Sequence, residues 1–116
     1  MDCDAGATLQ AALDGAVEGD TINVSGTCNE RVIVSIGNIT IDGGGTASID
    51  GTGLTGPLVQ VFASGVQILN LTAENSSSSC IVVGKAGSAT IQGITVKNCE
   101  RAGILVNGSS YALIGK

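Results

Sequence analysis

Acidic side chains are the residues of this chain with the clearest chemical potential. After the first 30 residues the sequence holds four of them, Asp42, Asp50, Glu74 and Glu100. Glycoside hydrolysis requires two carboxylates that flank one bond, whereas these four are scattered along the chain. The sequence therefore offers no catalytic pair, and we expect a protein that is not an enzyme.

Other kinds of site are disfavoured by composition. The chain has no His, and its four cysteines lack the spacing of a zinc site. A net charge of −5 with five basic residues gives no surface for nucleic acid phosphates. No stretch reaches the roughly 18 apolar residues of a membrane span. We expect no metal, no cofactor, no nucleic acid partner and no membrane span.

Aromatic residues are scarce. Sugar-binding surfaces often present aromatic rings as flat platforms, but this chain has only Phe62 and Tyr111. Each is predicted to be a single packing residue.

The cysteine count points to an oxidising compartment. Four cysteines are an even number, and the chain around them is small, acidic and rich in Gly, Ser and Thr. Such a composition is typical of a disulfide-containing secreted domain. The protein is therefore expected to be secreted or at the cell surface.

Short strands are the elements that must position these residues. Apolar residues make up 43% of the 116 positions and are nearly all Val, Ile, Leu and Ala, with 18 glycines among them. β-Branched residues in short runs, separated by Gly, Ser, Asn and Asp, are typical of strands joined by turns. The length suits a single domain, residues 1–116.

A repeat of about 23 residues organises the strands. Segments that begin at Leu58, Ile81 and Ile104 superimpose, and a fourth, from Val32, fits with a one-residue gap. Such a period corresponds to one coil of a solenoid. Within each coil the apolar residues alternate, as expected of strands with one face inward.

A one-residue corner is predicted between the second and third strands of each coil. Equivalent positions there hold Gly43, Asn70 and Gly93. Gly and Asn tolerate a left-handed backbone at low cost. The sequence therefore predicts an αL bend at all three residues.

These features resemble one known family. The run GDTINVSGTCNERVIV (residues 19–34), the Gly-rich IDGGGTASIDGTG after it and the later coils look like the N-terminal part of pectin-lyase-like proteins. The resemblance implies an all-β, right-handed parallel β-helix, an extracellular setting and, often, a polysaccharide ligand. Enzymes of the family place acidic and basic residues on the outer face of the first sheet. At those positions this chain is mostly aliphatic, with Ile33, Gln60, Val82 and Leu105.

An N-terminal cap is predicted over residues 1–18, followed by coils over 19–116. Leu9, Leu13 and Val17 share one face of a short α-helix over residues 8–17, with Thr8 as its N-cap. Such a helix would cover the first coil and prevent edge-to-edge pairing.

The C-terminal end is predicted to be open. Ala112 and Ile114 should face the core of a last coil that nothing in these 116 residues covers. Solenoids need covered ends, so two explanations stay open: the chain continues as a longer β-helix, or another chain stacks on this end. The second explanation predicts a two-fold dimer through residues around Leu105 to Lys116.

The coil alignment also places the cysteines. Cys99 lies over Ser76, and Cys80 lies under Gly103, in the long turns of adjacent coils. A Cys80–Cys99 disulfide is therefore predicted, and a Cys3–Cys28 disulfide would tie the N-terminal segment to the first coil.

Sequons for N-linked glycans occur five times, at Asn23, Asn38, Asn70, Asn75 and Asn107. Asn70 is explained by its corner. Asn75 and Asn107 are predicted to lie in turns and to carry glycans if the source organism glycosylates its secreted proteins.

The leading hypothesis is a structural or adhesive extracellular module that contacts proteins through its open end and an aliphatic outer stripe. The residues predicted for that contact are Ile33, Val82, Leu105 and Ile114. The alternative is the N-terminal piece of a polysaccharide lyase or glycoside hydrolase. Expected partners are accordingly a second copy, the continuation of a longer β-helix, or an extracellular polysaccharide.

Overall fold

A computed structural model describes residues 1–107 and 110–115, apart from the side chain of Tyr111. Three sequence features lie outside that description: the aromatic ring of Tyr111, sequon positions 108–109 and Lys116. The described residues form a 3-10 helix (Cys3–Ala5), one α-helix, α1 (Leu9–Asp14), and eleven strands. The strands are β1 (Thr21–Asn23), β2 (Thr27–Cys28), β3 (Val32–Val34), β4 (Thr40–Asp50), β5 (Val59–Val61), β6 (Val66–Ser76), β7 (Ile81–Val83), β8 (Ser88–Gln92), β9 (Thr95–Cys99), β10 (Ile104–Val106) and β11 (Tyr111–Ile114).

Two parallel sheets wind around one core. The smaller has the order β10-β7-β5-β3, and the larger has the order β1-β4-β6-β8-β11, with β2 on β4 and β9 on β6. Val32 pairs with Val59, Val59 with Ile81 and Ile81 with Ile104, so successive coils advance by 27, 22 and 23 residues. The predicted all-β parallel β-helix, here of about four turns, is confirmed.

Aliphatic side chains stack in columns along the core. Ile41 pairs with Ile68 and Ile68 with Ile91, and each is at most 1% exposed. Val34, Val61 and Val83 form a second column with no exposed area. Branched side chains pack well on a pleated surface, and burial of one is worth about 1.5 to 3 kcal/mol. These columns hold successive coils together.

The predicted corners are confirmed at two positions and wrong at one. Asn70 and Gly93 have φ angles of 54° and 64°, in the left-handed region. The coil below them differs, because residues 43–46 stand opposite the single residue Asn70 between two paired segments. In that insertion Gly44, with φ 61°, takes the left-handed conformation instead of Gly43.

The cap is shorter than predicted. Leu9 and Leu13 are buried, and Thr8 Oγ1 accepts a hydrogen bond from the Ala11 backbone N–H at 3.2 Å, so the N-cap is confirmed. The helix ends at Asp14, where the N–H of Gly15 donates to the carbonyl of Ala11. Val17 therefore lies beyond the helix, 66% exposed, and its predicted place on the helical face is wrong.

Both predicted disulfides are confirmed. Cys3 is bonded to Cys28, with 5.1 Å between their Cα atoms, and Cys80 is bonded to Cys99, with 5.6 Å. Ser76 and Cys99 are register partners, as the coil alignment predicted. The first bridge fastens the cap to the first coil, and the second joins two successive coils.

Candidate functional site

At the C-terminal end, no described residue covers the aliphatic columns. Val106 continues the column of Val83 but is 41% exposed, and Ile114 continues the column of Ile91 but is 55% exposed. Val96, over the buried Ala73, is 37% exposed. We call Val96, Val106 and Ile114 the C-terminal face. Ile114, which was predicted to lie in the last coil, is exposed among the described residues.

Strand edges surround this face. Within the described residues β10 pairs only with β7, β11 only with β8, and β9 only with β6. The opposite edge of each strand therefore presents N–H and C=O groups that a further strand can pair with. Leu105 and Leu113 flank the face on the outside of the two sheets and are 37% and 54% exposed.

Three of the four residues predicted for protein contact lie in one outward row of the smaller sheet, in which Ile33, Gln60, Val82 and Leu105 are successive register partners. Ile33 is 46% exposed, but it lies in β3, at the N-terminal edge of the smaller sheet. Val82 is only 6% exposed, since its longer register neighbours Gln60 and Leu105 lie on either side of it. The expected continuous aliphatic stripe is therefore wrong at Val82. Leu105 and Ile114 both lie at the C-terminal end.

Positive charge lies near the C-terminal face. Lys97 is in β9, in register with Glu74 of the preceding coil, and Arg101 follows β9 with an exposed side chain. Lys85 lies farther from the face, with its Nζ 4.8 Å from the centre of the Phe62 ring. Phe62 is half-buried, consistent with the packing role predicted for it.

Asparagine side chains at the corners join successive coils. Asn38, Asn70, Asn75 and Asn98, the corner asparagines, all have φ between 52° and 59°. The Nδ2 of each donates to an oxygen of the coil below: Glu18 Oε1 at 2.9 Å, Asp42 Oδ1 at 3.3 Å, Asp50 Oδ1 at 3.0 Å and Asn75 Oδ1 at 3.2 Å, respectively. These amides thus continue the strand ladders around the corners.

The Asp50 carboxylate is the best-satisfied acid of this set. It accepts hydrogen bonds from the hydroxyl and backbone N–H of Thr52 and from the amide of Asn75. These bonds, that from the Thr52 hydroxyl first, lower the pKa of Asp50 from its ordinary value. Asp50 is therefore a structural anion, held at a corner by neutral donors.

An open polar groove of about 380 Å³ runs beside this corner. Its lining contains one acidic residue, Glu100, and the amides of Asn75 and Asn98 that already bind each other. A single carboxylate does not provide the acid and base pair of a glycosidase.

One group of potential metal ligands exists among the described residues: Cys3, Cys28 and Glu30, with ligand atoms within 4.8 Å of one another. The two sulfurs are joined in a disulfide, so neither is a thiolate. The Glu30 carboxylate accepts hydrogen bonds from the backbone N–H groups of Leu9 and Gln10, at 2.7 and 3.0 Å. The cluster is explained by the cap.

Gln10 and Glu30 have roles that the sequence reasoning missed. The Gln10 amide exchanges two hydrogen bonds with the backbone of Ile33, at 2.7 and 3.2 Å, and so occupies the edge of β3 as another strand would. Glu30 holds the N-terminus of α1. The one available signal was the position of Gln10 in the amphipathic segment, three residues before Leu13 and therefore next to it on the helix surface.

No helix among the described residues is long and apolar enough to cross a membrane. Searches of known protein families, of curated protein sequences and of solved structures gave no match to this chain. The fold is therefore shown by strand register alone, and the likeness to pectin-lyase-like proteins stays a resemblance in sequence.

Proposed function

We propose that this chain is a non-enzymatic extracellular or cell-surface module with a structural or adhesive role, which associates with a second copy through its C-terminal face. The main support is the change from buried to exposed side chains along the aliphatic columns. Ile91 is fully buried, whereas its register partner Ile114 is 55% exposed. Clustered exposed apolar side chains mark interaction surfaces.

The positions of the charged residues distinguish the strand edges that are suited to pairing with a second copy from the edge that is not. β10 and β11 contain no charged residue, whereas β9 contains Lys97. A Lys in an edge strand opposes pairing with another chain, so β10 and β11 are the edges suited to pairing. Two copies related by a two-fold axis can pair β10 with β10 in antiparallel fashion, which closes the assembly.

The N-terminal end is a poorer partner for this face. The Gln10 side chain already satisfies the edge of β3, and Leu9 and Leu13 of α1 cover the core beneath it. Head-to-tail stacking would require α1 to move. The two-fold arrangement leaves both caps in place.

Two further observations support an extracellular, non-enzymatic role. Two disulfides in a chain of 116 residues are typical of an oxidising compartment. None of the outward residues of the smaller sheet, Ile33, Gln60, Val82 and Leu105, is acidic.

Molar mass in solution, measured by light scattering across a concentration series, tests the proposal. We expect a dimer that dissociates on dilution. Ile114→Lys should raise its dissociation constant by at least about tenfold, equivalent to about 1.4 kcal/mol, because a charge would enter the contact. Ile33→Lys is the matched control: it changes an exposed isoleucine at the opposite end, and the dissociation constant should stay the same.

A chain that stays monomeric at all concentrations contradicts the proposal. So does equal weakening by the two isoleucine variants, since that result would place the contact elsewhere. Circular dichroism of each variant separates loss of association from loss of fold.

A further inference from the structure

The five sequons of this chain differ in what the structure requires of their amides. Three of them, at Asn38, Asn70 and Asn75, are corner asparagines whose Nδ2 donates to the coil below at 2.9 to 3.3 Å. Asn75 also accepts a hydrogen bond from Asn98. An N-linked glycan is attached through this same Nδ2 and replaces one of its two hydrogens, so it would crowd an amide that already binds the coil below.

The coil above lies close to two of these amides, those of Asn38 and Asn70. A Cβ on Gly65 would overlap Oδ1 of Asn38, and a Cβ on Gly93 would overlap Oδ1 of Asn70. Both side chains are exposed, like that of Asn23, but each amide is hydrogen-bonded to the coil below and lies close to the coil above. A glycan at either position would therefore be attached to an amide that links two coils, and it would disturb that link.

Asn23 has a different environment. It lies in β1, the outermost strand of the larger sheet, where Thr21 and Asn23 are exposed and Ile22 between them is 8% exposed. Its side chain therefore points outward. Within the described residues its amide makes no hydrogen bond, whereas its backbone carbonyl accepts one from the amino terminus of Met1 at 2.7 Å.

We propose that Asn23 is the acceptor of an N-linked glycan and that Asn38, Asn70 and Asn75 stay unmodified in the folded protein. The inference rests on the extracellular setting of the proposed function, and it replaces the expectation of a glycan at Asn75. The donor is a lipid-linked oligosaccharide. Nδ2 of Asn23 bonds to the anomeric sugar carbon, the bond from that carbon to the lipid pyrophosphate breaks, the pyrophosphate leaves with the electron pair, and the amide loses one proton to solvent.

A glycan at Asn23 would lie at the end of the solenoid opposite to the C-terminal face. Asn23 lies in the first coil, beside the cap, whereas the C-terminal face lies in the last coil. The sugar would shield the edge of β1 from pairing with other chains, as bulky polar groups do at exposed strand edges. The C-terminal face would stay free for a second copy.

Site-resolved glycan mapping tests the inference. The chain is expressed behind a secretion leader in eukaryotic cells. Every version carries Asn107→Gln, because residues 108 and 109 of that sequon lie outside the described structure. Enzymatic release in heavy-oxygen water converts each occupied asparagine into labelled aspartate, which peptide mass spectrometry detects. We expect the label at Asn23 alone.

Two variants of the third sequon position are matched to this test. Ser25→Ala should abolish the label, and Ser25→Thr should retain it. An unlabelled Asn23 in the Ser25→Thr chain overturns the inference, as does a label at Asn38, Asn70 or Asn75 in secreted protein with both disulfides formed. A monomeric chain labelled at Asn23 overturns the association proposal but not this one, and an associating chain without the label does the reverse.

Discussion

Gly93 shows how one residue can be constrained twice. Its φ of 64° is a left-handed conformation, and a Cβ there would also overlap Oδ1 of Asn70 in the coil below. Gly93→Val should therefore lower the free energy of unfolding by about 1 to 3 kcal/mol from backbone strain, with the overlap adding to this. Thr90→Val is the control, because Thr90 is half-buried in β8 at an outward position where a β-branched residue is well tolerated. Chemical denaturation of both variants checks this, and equal stabilities would contradict it.

Asp50 makes stability depend on pH. Its pKa is lowered in the folded state by hydrogen bonds from Thr52 and Asn75, whereas in the unfolded chain it is about 3.9. The stabilisation is therefore complete above the unfolded value and is lost as pH falls through the lower folded value. We expect Asp50→Asn to make stability less dependent on pH below about 4. Urea denaturation of both proteins at several acidic pH values measures this, with Asp2→Asn as the exposed control. Identical pH dependence in the wild type and Asp50→Asn would rule the mechanism out.

At the scale of elements, α1 is only six residues long, and the side chains of Glu30 and Gln10 hold it in position. Glu30 accepts from the N–H groups of Leu9 and Gln10, which lack partners within the helix. Glu30→Gln should cost about 1 kcal/mol, because a charged acceptor at a helix N-terminus is replaced by a neutral one. The midpoint of thermal unfolding should fall for this variant and stay unchanged for Glu100→Gln, which removes an exposed carboxylate elsewhere. A fall of equal size in both would show that the cap is not the cause.

Sequence periodicity predicted the strands because strand registers repeat in the residues themselves. Ile68 and Ile91 are 23 residues apart and lie side by side in the structure. Periodicity failed at Gly43, since an insertion moves the bend to Gly44 without changing the type of residue. It failed at Val82 because exposure depends on the length of neighbouring side chains, and an alternation of strand residues does not report that length.

Only some of the corner contacts, and none of the cap contacts, could have been predicted from this period. Asn75 and Asn98 repeat at the coil period, so their stacking could have been predicted from the same alignment. The acceptors in the first coils could not have been predicted in this way. Asn38 reaches Glu18 and Asn70 reaches Asp42 across turns of different length, so these pairs do not repeat at the coil period. The pairing of Gln10 with Ile33 depends on where α1 docks, which no period encodes.

At the scale of the whole molecule, chain order becomes order along the solenoid, and charge is distributed unequally along it. Residues 1–30 contain six acidic side chains and no basic one. In the outermost layer at the C-terminal face, Lys97 and Arg101 are accompanied by one acid, Glu100, and Glu74 lies one coil below Lys97. The cap end is thus strongly acidic, whereas the end with the C-terminal face is weakly basic. This polarity distinguishes the two possible arrangements of an assembly.

Salt dependence should therefore report which ends meet. In the proposed two-fold dimer, two C-terminal faces meet, each with Lys97 and Arg101 beside it, so like charges oppose the apolar contact. Raising the ionic strength from about 0.01 M to about 0.15 M shortens the screening length from about 30 Å to about 8 Å, and it should lower the dissociation constant by about threefold. A head-to-tail contact would join acidic to basic ends, and salt would weaken it. Light scattering at several NaCl concentrations measures the sign, and Lys97→Gln should reduce the slope. A dissociation constant that rises with salt would exclude the two-fold arrangement, because screening cannot weaken a contact between ends of like charge.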